Sequence, residues 1–549
     1  MLGTPLEPAS CAYSFPLLIR HLLHTPLAHA PDQEIVYSTY RRHTYREFRQ
    51  RVGRLASTLA GLGIHQGSTV AVMDWDSHRY LESYFAVPMM GAVLHTVNIR
   101  LSPEQMLYTI NHAEDDVILV HQDFVPVLER IHSRIEHKVD LILLEDGGNK
   151  TESSLKFAGE YEDLLSRSDE GYGFGDFDEN TRATTFYTTG TTGNPKGVYY
   201  SHRQLVLHTL GFLLSLGWNS VAGRFHRGDV YMPLTPMFHV HGWGIPYGAT
   251  LMGVKQVYPG RYEAGPILDL IDREKVTFSH CVPTILHMIL SSTRAREVDL
   301  SRWKLIIGGS ALSHGLAKRA QELGIDVTSA YGMSETCPLI LTSQLDGDFQ
   351  SLGPNERIDM RCKTGRSGPL VDVRVVDENF KDVPADEKTT GEVVVRAPWL
   401  TQSYFKDPER SEELWRDGYL HTGDIGHIGP GGYVQVTDRL KDIIKSGGEW
   451  ISSLELETII SHHEAVGEVA AIGMRDEKWG ERPLVLIVPK KDYTGKLSEE
   501  LIKQHVLGFA ERGIISKWAV PDKIQFVESI EKTSVGKIDK KLLRQKYAG

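Results

Sequence analysis

Residues 187–197 read YTTGTTGNPKG: four threonines, three glycines, one proline and one lysine in eleven positions. Phosphate oxygens need many donors at short range. Glycines let backbone N–H groups approach them, and threonine hydroxyls and an ammonium add charge-assisted bonds. The β-prone run 183–187 predicts a strand before the loop and residues 202–210 predict a helix after it, the place where α/β sheets hold ligands. A Walker A loop needs Ser or Thr after its lysine to hold magnesium, whereas Lys196 is followed by Gly197. A different phosphate chemistry is implied. A flexible Gly/Thr turn would have the same composition, so the other segments decide.

The chain has 549 residues, too many for one core, and at roughly 150 residues per domain it predicts three or four structural units. With 41% hydrophobic and 24% charged residues the composition is that of a globular enzyme. A net charge of −11 argues against a nucleic-acid surface, so any anion site must be local. Cys11, Cys281, Cys337 and Cys362 are scattered, which predicts free thiols and a cytoplasmic setting. The apolar patch 15–23 contains Arg20 and His21 and no cleavage site follows it, so it fails as a signal peptide. No apolar run reaches the roughly 18 residues of a membrane span.

Helix and strand alternate from residue 45 onward. Phe48, Val52, Leu55, Ala56, Leu59 and Leu62 keep helical spacing up to Gly63, residues 69–73 predict a buried strand, and Tyr80, Leu81, Tyr84, Phe85 and Ala86 mark a second helix. Ser102, Pro103 and Gln105 form a capping signal, and 117–120 predicts the next strand. This rhythm predicts parallel sheets with crossover helices. Residues 145–180 are acidic and rich in Gly and Ser, which predicts a surface excursion. Strands are expected again at 229–232, 254–258, 276–279 and 304–307, and short β runs at 371–376 and 391–396 predict a β-rich subdomain. The expected organisation is an α/β fold: a large N-terminal domain, 1–437, of parallel-rich sheets plus the β-rich subdomain, a linker at 438–446, and a small mobile α+β lid, 447–549.

Five further segments carry chemistry. SAYGMSETCP, 329–338, offers an aromatic to stack on a base, a carboxylate for Mg²⁺ and hydroxyls for phosphate. GGSAL, 308–312, would let backbone approach a flat ligand. In YLHTGDIG, 419–426, Asp424 can accept two ribose hydroxyls. In KTSVGKIDKKLLR, 532–544, Lys537 follows Gly536 and can be delivered into a site to neutralise charge between a carboxylate and a phosphate. PMFHVHGWG, 236–244, holds His239 and His241 two apart, but no acidic or Cys partner stands at zinc spacing. Each segment alone has a plainer reading: a polar turn, a buried ion pair, a solvated basic tail, a core tryptophan.

Taken in order these motifs resemble the adenylate-forming superfamily of acyl-CoA synthetases, peptide-synthetase adenylation domains and luciferases, over essentially the whole chain, and most nearly the medium- and long-chain fatty acyl-CoA synthetases. The resemblance implies that Thr188, Thr189, Gly190, Thr191, Thr192 and Lys196 hold ATP phosphates. It places Tyr331, with Gly332 and Met333, at adenine, Glu335 on magnesium, Thr336 on the α-phosphate, and Asp424 and Arg439 on the ribose. Gly309 and Ser310 border adenine while Gly308 borders the acyl pocket. Lys441 is the hinge, Gly447 and Gly448 line the path of the pantetheine of coenzyme A, and Lys537 is the catalytic lysine. His239 lies beside the acyl carboxylate, and Trp243, next to His241, gates the acyl tunnel, with Gly242 and Gly244 leaving the indole free to swing. Three departures stand out: Ser334 where Thr is usual, His241 and Gly242 where Asn and Ala are common, and Glu531 in place of a proline.

A carboxylate is a poor electrophile because its leaving group would be oxide. Transfer of AMP from ATP makes a mixed anhydride that the CoA thiol can open. The expectation is therefore an ATP- and Mg²⁺-dependent medium- or long-chain fatty acid:CoA ligase, a homodimer through its N-terminal segment. Three rivals stand beside it: a ligase for a short, thioether or aromatic acid, an adenylation domain, and a binding protein that kept the fold. A carrier domain would normally follow an adenylation domain, and this chain ends five residues after Arg544. The retained Lys537, Glu335, Asp424 and Arg439 speak for catalysis.

Overall fold

The computed structural model describes residues 7–147, 151–188, 194–218, 224–343, 351–446, 449–512, 514–532 and 538–548. Among these residues the strands form four sheets. The first runs, edge to edge, Gly159–Glu160, Asp140–Leu144, Val117–His121, Thr69–Met73, Val93–Thr96, Arg182–Thr188 and Lys196–Ser201. Its pairs are parallel except the last, an antiparallel hairpin in which Thr188 faces Lys196. The expected strand–loop–helix order is thus corrected to strand, loop, strand, helix. The β-prone VYYS run after the glycine pairs back, and the helix His202–Gly217 starts only where Ser201 and Gln204 close a capping box.

The second sheet runs Arg366–Ser367, Leu339–Thr342, Asp326–Gly332, Lys304–Ile307, Phe278–Cys281, Val230–Leu234, Lys255–Tyr258, Glu34–Tyr37 and Arg41–Thr44. It is parallel through the centre and antiparallel at both edges. Wholly buried between the sheets, the helix His78–Met89 meets the helix Ile245–Met252, where the Tyr84 and Tyr247 rings stack 5.3 Å apart. The third sheet, antiparallel, carries Asp372–Val376, Gly391–Arg396 and Tyr419–Ile428 with Trp415–Arg416 and Val434–Arg439, the expected β-rich subdomain. The segment 145–180 is more ordered than its composition suggested. It contains the helix Tyr161–Arg167, whose Tyr161 is fully buried and donates to Glu82 Oε2 at 2.5 Å, while Arg51 bridges Glu82 and Glu162.

The fourth sheet, Ile444–Ser446, Glu449–Ile451, Val466–Asp476, Gly480–Pro489 and Lys523–Phe526, has its own two apolar clusters, built only from residues 444–548. The junction is held by charge. Buried Asp438 accepts from the Ser453 backbone and hydroxyl, Lys540 reaches Ser453 Oγ at 2.5 Å and Glu457 at 2.8 Å, and Arg544 pairs with Asp442 at 2.8 Å. Among the described residues no helix is long and apolar enough to cross a membrane.

Burial pulls the imidazoles of His202, His208, His241 and His280 down to about 3, so each is neutral in the fold. A histidine that protonates more easily unfolded than folded takes up protons in the unfolded chain first, so its stabilising share is complete above pH 6.5 and is lost as the pH falls toward 3. His208→Gln removes one such group. The pH dependence of urea unfolding between pH 6 and pH 4 should become shallower by about 1.4 kcal/mol per pH unit. Parallel curves for both proteins would show that His208 titrates in the folded state.

Candidate active site

Asp424 and Arg439 face each other across adjacent strands of the third sheet, with Arg439 Nε 3.0 Å from Asp424 Oδ1. Tyr331, at the end of strand Asp326–Gly332 in the second sheet, donates its hydroxyl to Asp424 Oδ2 at 2.6 Å. The carboxylate is 4% exposed while Arg439 is 44% exposed, so this buried charge is compensated from the solvent side. An ionised carboxylate offers about four acceptor positions, and these two bonds leave capacity for two further donors, as a ribose diol would supply. Desolvation of its ammonium, and then the charge of Arg439, holds Lys441, two residues on, below the ordinary lysine range.

A second row lies at the foot of the Thr/Gly loop. Lys196 Nζ sits 4.4 Å over the ring of Tyr404, whose hydroxyl donates to buried Glu335 Oε1 at 2.7 Å. Tyr404 was not anticipated from sequence, since a tyrosine in LTQSYFKDP carries no motif. Its segment is tied to the hairpin through Phe405 N to Gly197 O at 2.8 Å and a bridge to Val198. Glu335 presents one carboxylate, and Mg²⁺ commonly takes one or two carboxylates, completing its octahedron with phosphate oxygens and water. The donor set fits that ion.

The turn between these rows closes on itself. Thr336 is fully buried; its hydroxyl accepts from Met333 N at 2.9 Å, and its one proton is shared between the Pro338 carbonyl and the more distant Met333 carbonyl. The hydroxyl expected to meet a phosphate thus already fastens the turn 333–338. Ser334 contributes its carbonyl, which accepts from Tyr200 Oη at 2.5 Å. Gly332 is required sterically, because a Cβ there would overlap the Pro338 carbonyl. Gly309 adopts φ 79° and Ser310 is exposed at the same end of the sheet.

Next to them runs an unusual backbone. Val240, His241, Gly242, Trp243 and Gly244 have φ of 47°, 56°, 55°, 61° and 70°, one turn of left-handed helix. Each non-glycine residue in that conformation costs about 1–2 kcal/mol, so the surroundings must hold the turn. They do so just upstream: Met237 N donates to Asp76 Oδ1 at 2.8 Å, Met237 O accepts from the Tyr84 hydroxyl, and Phe238 O accepts from Thr96 at 2.9 Å. His239 is half-buried at the entrance of the turn. His241 is enclosed by the rings of Phe186, Tyr84, Tyr200 and Tyr247, and neither of its nitrogens has a hydrogen-bond partner.

Trp243 is buried rather than loose. A Cβ on Gly308 would come within 2.9 Å of its ring, His280 lies 5.1 Å away, and Phe212, Leu216, Phe278, Ile306, Ala330 and Leu339 complete an apolar cluster. Gly242 and Gly244 therefore supply backbone conformation, not room for the indole to swing. A Cβ on Gly244 would also reach His208 Nδ1 at 2.8 Å. No zinc group forms at His239 and His241; among the described residues only His43, His78 and Glu82 stand at metal-ligand spacing.

Thr189, Gly190, Thr191, Thr192, Gly447, Gly448 and Lys537 lie outside the described residues. The ends of the Lys537 segment are described. Lys532 bridges Ile538, and Glu531, standing where a proline was expected, pairs with Lys546 of the helix Lys540–Tyr547 at 2.5 Å.

Two family profiles match the chain: the AMP-binding enzyme over residues 23–405 and the AMP-binding enzyme C-terminal domain over residues 455–537. A long-chain-fatty-acid–CoA ligase of Thermus thermophilus is 41% identical over 513 residues, covering 92% of this chain and 90% of its own. A 3-methylmercaptopropionyl-CoA ligase of Ruegeria pomeroyi is 38% identical over 497 residues, covering 90% of each. Among solved structures, ATP-bound MatB from Rhodopseudomonas palustris shares the fold with a TM-score of 0.82 at 24% identity, covering 97% of this chain and 99% of that one. The chain belongs to the AMP-binding enzyme family, within the adenylate-forming superfamily.

Gly332→Ala tests the closed turn. Backbone overlap cannot be relieved by a rotamer change, so the variant should lose about 2 kcal/mol or more in urea unfolding, together with its ATP-dependent rise in Tm. Gly315→Ala, where a Cβ meets nothing within 4 Å, is the control and should be neutral or slightly stabilising. Equal behaviour of the two variants would contradict the steric reading.

Proposed function

We propose that the chain is an ATP-dependent fatty acid:CoA ligase acting on medium- or long-chain acids. The observation that carries this reading is the strand Asp326–Gly332. Ala330 belongs to the apolar cluster around Trp243, and the next residue, Tyr331, bonds Asp424 in the polar row. Consecutive strand residues face opposite sides, so one strand separates an apolar cluster from the polar row of Tyr331, Asp424 and Arg439. A reaction that joins an acyl carboxylate to a nucleotide needs that arrangement.

In the first step a carboxylate oxygen forms a bond to the α-phosphorus of ATP, the bond from that phosphorus to the β-phosphate oxygen breaks, and pyrophosphate leaves. In the second, the CoA sulfur forms a bond to the acyl carbon, the thiol proton is released to solvent, and AMP departs with the former carboxylate oxygen. Positioning and charge neutralisation suffice for such transfers. Asp424 and Arg439 would hold the ribose, Tyr331 with Gly332 and Met333 the adenine, and Thr188–Thr192 with Lys196 the phosphates. Glu335 would hold Mg²⁺, which supplies charge neutralisation on the phosphates when bound. His239 would orient the acyl carboxylate and Lys537 would neutralise the charge that gathers between it and the α-phosphate. Residues 1–437 would form the acyl and nucleotide body, 438–446 with Lys441 the hinge, and 447–549 a lid whose Gly447 and Gly448 border the pantetheine arm. We assign the enzyme to the cytoplasm as a homodimer. The named activity of the Ruegeria relative supports a second reading, a ligase for a short thioether acid.

Lys537→Ala should lower acid-dependent pyrophosphate release at least about a hundredfold, the scale of removing one preorganised charge, while supplied acyl-adenylate is still converted to acyl-CoA. An equal fall in both half-reactions would refute the role given to Lys537. On a panel of two to sixteen carbons, preference for eight or more supports the fatty acid, and preference for a short thioether acid supports the second reading.

A further inference from the structure

A small cavity lies where the two large sheets face each other, and its walls include Asp76, Arg100, Pro236, Phe238, Gly260 and Tyr262. These residues follow the C-terminal ends of Thr69–Met73 and Val93–Thr96 in the first sheet and of Val230–Leu234 and Lys255–Tyr258 in the second. In each sheet the next two strands of the chain flank the first of these, one on either side, and parallel sheets hold ligands beyond the strand ends at such a reversal.

Asp76 is buried on the wall of this cavity and takes two donors. Its Oδ1 accepts from Met237 N at 2.8 Å and its Oδ2 from the Tyr262 hydroxyl. Met237 sits inside a turn closed by His239 N, which donates to Pro236 O at 2.9 Å. The carboxyl therefore grips the backbone just before His239 and the left-handed turn. The other two anchors of this backbone are hydroxyls, Tyr84 on Met237 O and Thr96 on Phe238 O.

Among these anchors Asp76 is the one whose charge changes near neutrality. It is faced by Arg100, by Asp74 of its own loop, by Tyr80 and Tyr84 of the helix His78–Met89, by Tyr231 and Tyr258 of the second sheet, and by Tyr262. Burial holds all five phenols well above their ordinary range, so they stay neutral. Burial pushes Asp76 itself up to about 7, against the pull of Tyr262, the Met237 amide and Arg100. The cavity beside it has room for a water-sized molecule, so the enclosed carboxyl can exchange its proton. When ionised it accepts on both oxygens, and its bond from Met237 is charge-assisted, roughly twice as strong as a neutral one. When protonated it must donate on one oxygen, and the Met237 bond becomes neutral.

We propose that Asp76 is a positioning residue for the acyl carboxylate: its charged form fixes the backbone that carries His239, so the acid binds more weakly once Asp76 is protonated. This deepens the ligase reading and rests on it. Asp76 acts through Met237 and His239, and the polar row of Tyr331, Asp424 and Arg439 shares none of these bonds. Nucleotide binding therefore does not follow its charge.

The full-length enzyme is assayed from about pH 5.5 to about pH 8.5 by initial rates of acid-dependent pyrophosphate release, with Mg²⁺ and CoA saturating and with the straight-chain acid preferred in the chain-length panel. As the pH falls through about 7, KM for the acid should rise about fivefold, the scale of losing charge assistance, while KM for ATP stays level. Asp76→Asn keeps an oxygen for Met237 N and presents an N–H to Tyr262, as the protonated acid does. Its KM for the acid should hold the parent's low-pH value at every pH. Other groups titrate alike in both proteins, so the difference between the two profiles belongs to Asp76. Tyr262→Phe removes a donor to the charged form and should move the midpoint up by about one pH unit; it also serves as the readout if Asp76→Asn does not fold. A variant with the parent's profile, or a KM for ATP that rises in step with that for the acid, would overturn the role of Asp76 and leave the ligase intact. No pyrophosphate release with any acid of the panel would overturn the ligase reading with it.

Discussion

Gly332 has no space for a side chain, and much of the active region depends on that. Because its Cα lies against the Pro338 carbonyl, the chain can leave the strand Asp326–Gly332 and fold straight into the turn that Thr336 fastens. That tight exit brings Glu335 to Tyr404 and leaves Tyr331 within reach of Asp424 on another sheet. Three sheets thus meet at one strand end. The strand carries apolar contacts on one side and the carboxylate-binding tyrosine on the other, so a shift of its end would displace both halves of the site.

The left-handed turn 240–244 is the complementary strained element. Three of its residues are not glycines, and the compensation lies upstream, where Asp76, Tyr84 and Thr96 hold the Met237 and Phe238 backbone from three separate elements. Burial pushes the Asp76 carboxyl up to about 7, while Tyr262 and the Met237 amide pull it the other way. The turn packs His241 among aromatic rings and the Trp243 indole onto Gly308.

Much of the scaffold was legible in sequence because local signals and tertiary packing agreed. The capping residues Ser102 and Gln105, the helix spacing of Phe48 through Leu62, and the apolar strands 69–73 and 304–307 correspond to elements in the structure. Signals failed where a neighbour at long range decided. The run after Gly197 became a strand because 182–188 was there to pair with it, and the helix Tyr161–Arg167 was hidden by flanking acids although Tyr161 is buried on Glu82. The composition of the Thr/Gly loop and the motifs containing Asp424 and Glu335 pointed to the polar site. Tyr404 and the inward hydroxyl of Thr336 carried no local signature, since their positions follow from which sheets face each other. The glycines beside Trp243 were visible, but residue type alone does not distinguish a loose hinge from a left-handed turn.

The central claim, that a polar row and an apolar cluster share one strand so that a carboxylate can be joined to the α-phosphorus of ATP, is tested most directly by following an oxygen atom. The acid is supplied with ¹⁸O in both carboxylate positions, together with ATP, Mg²⁺ and CoA, and the products are analysed by mass spectrometry. Attack of the carboxylate on the α-phosphorus, followed by thiol attack on the acyl carbon, predicts one labelled oxygen in each AMP and none in pyrophosphate. Label in a phosphate or pyrophosphate product, or unlabelled AMP beside acyl-CoA, would contradict it.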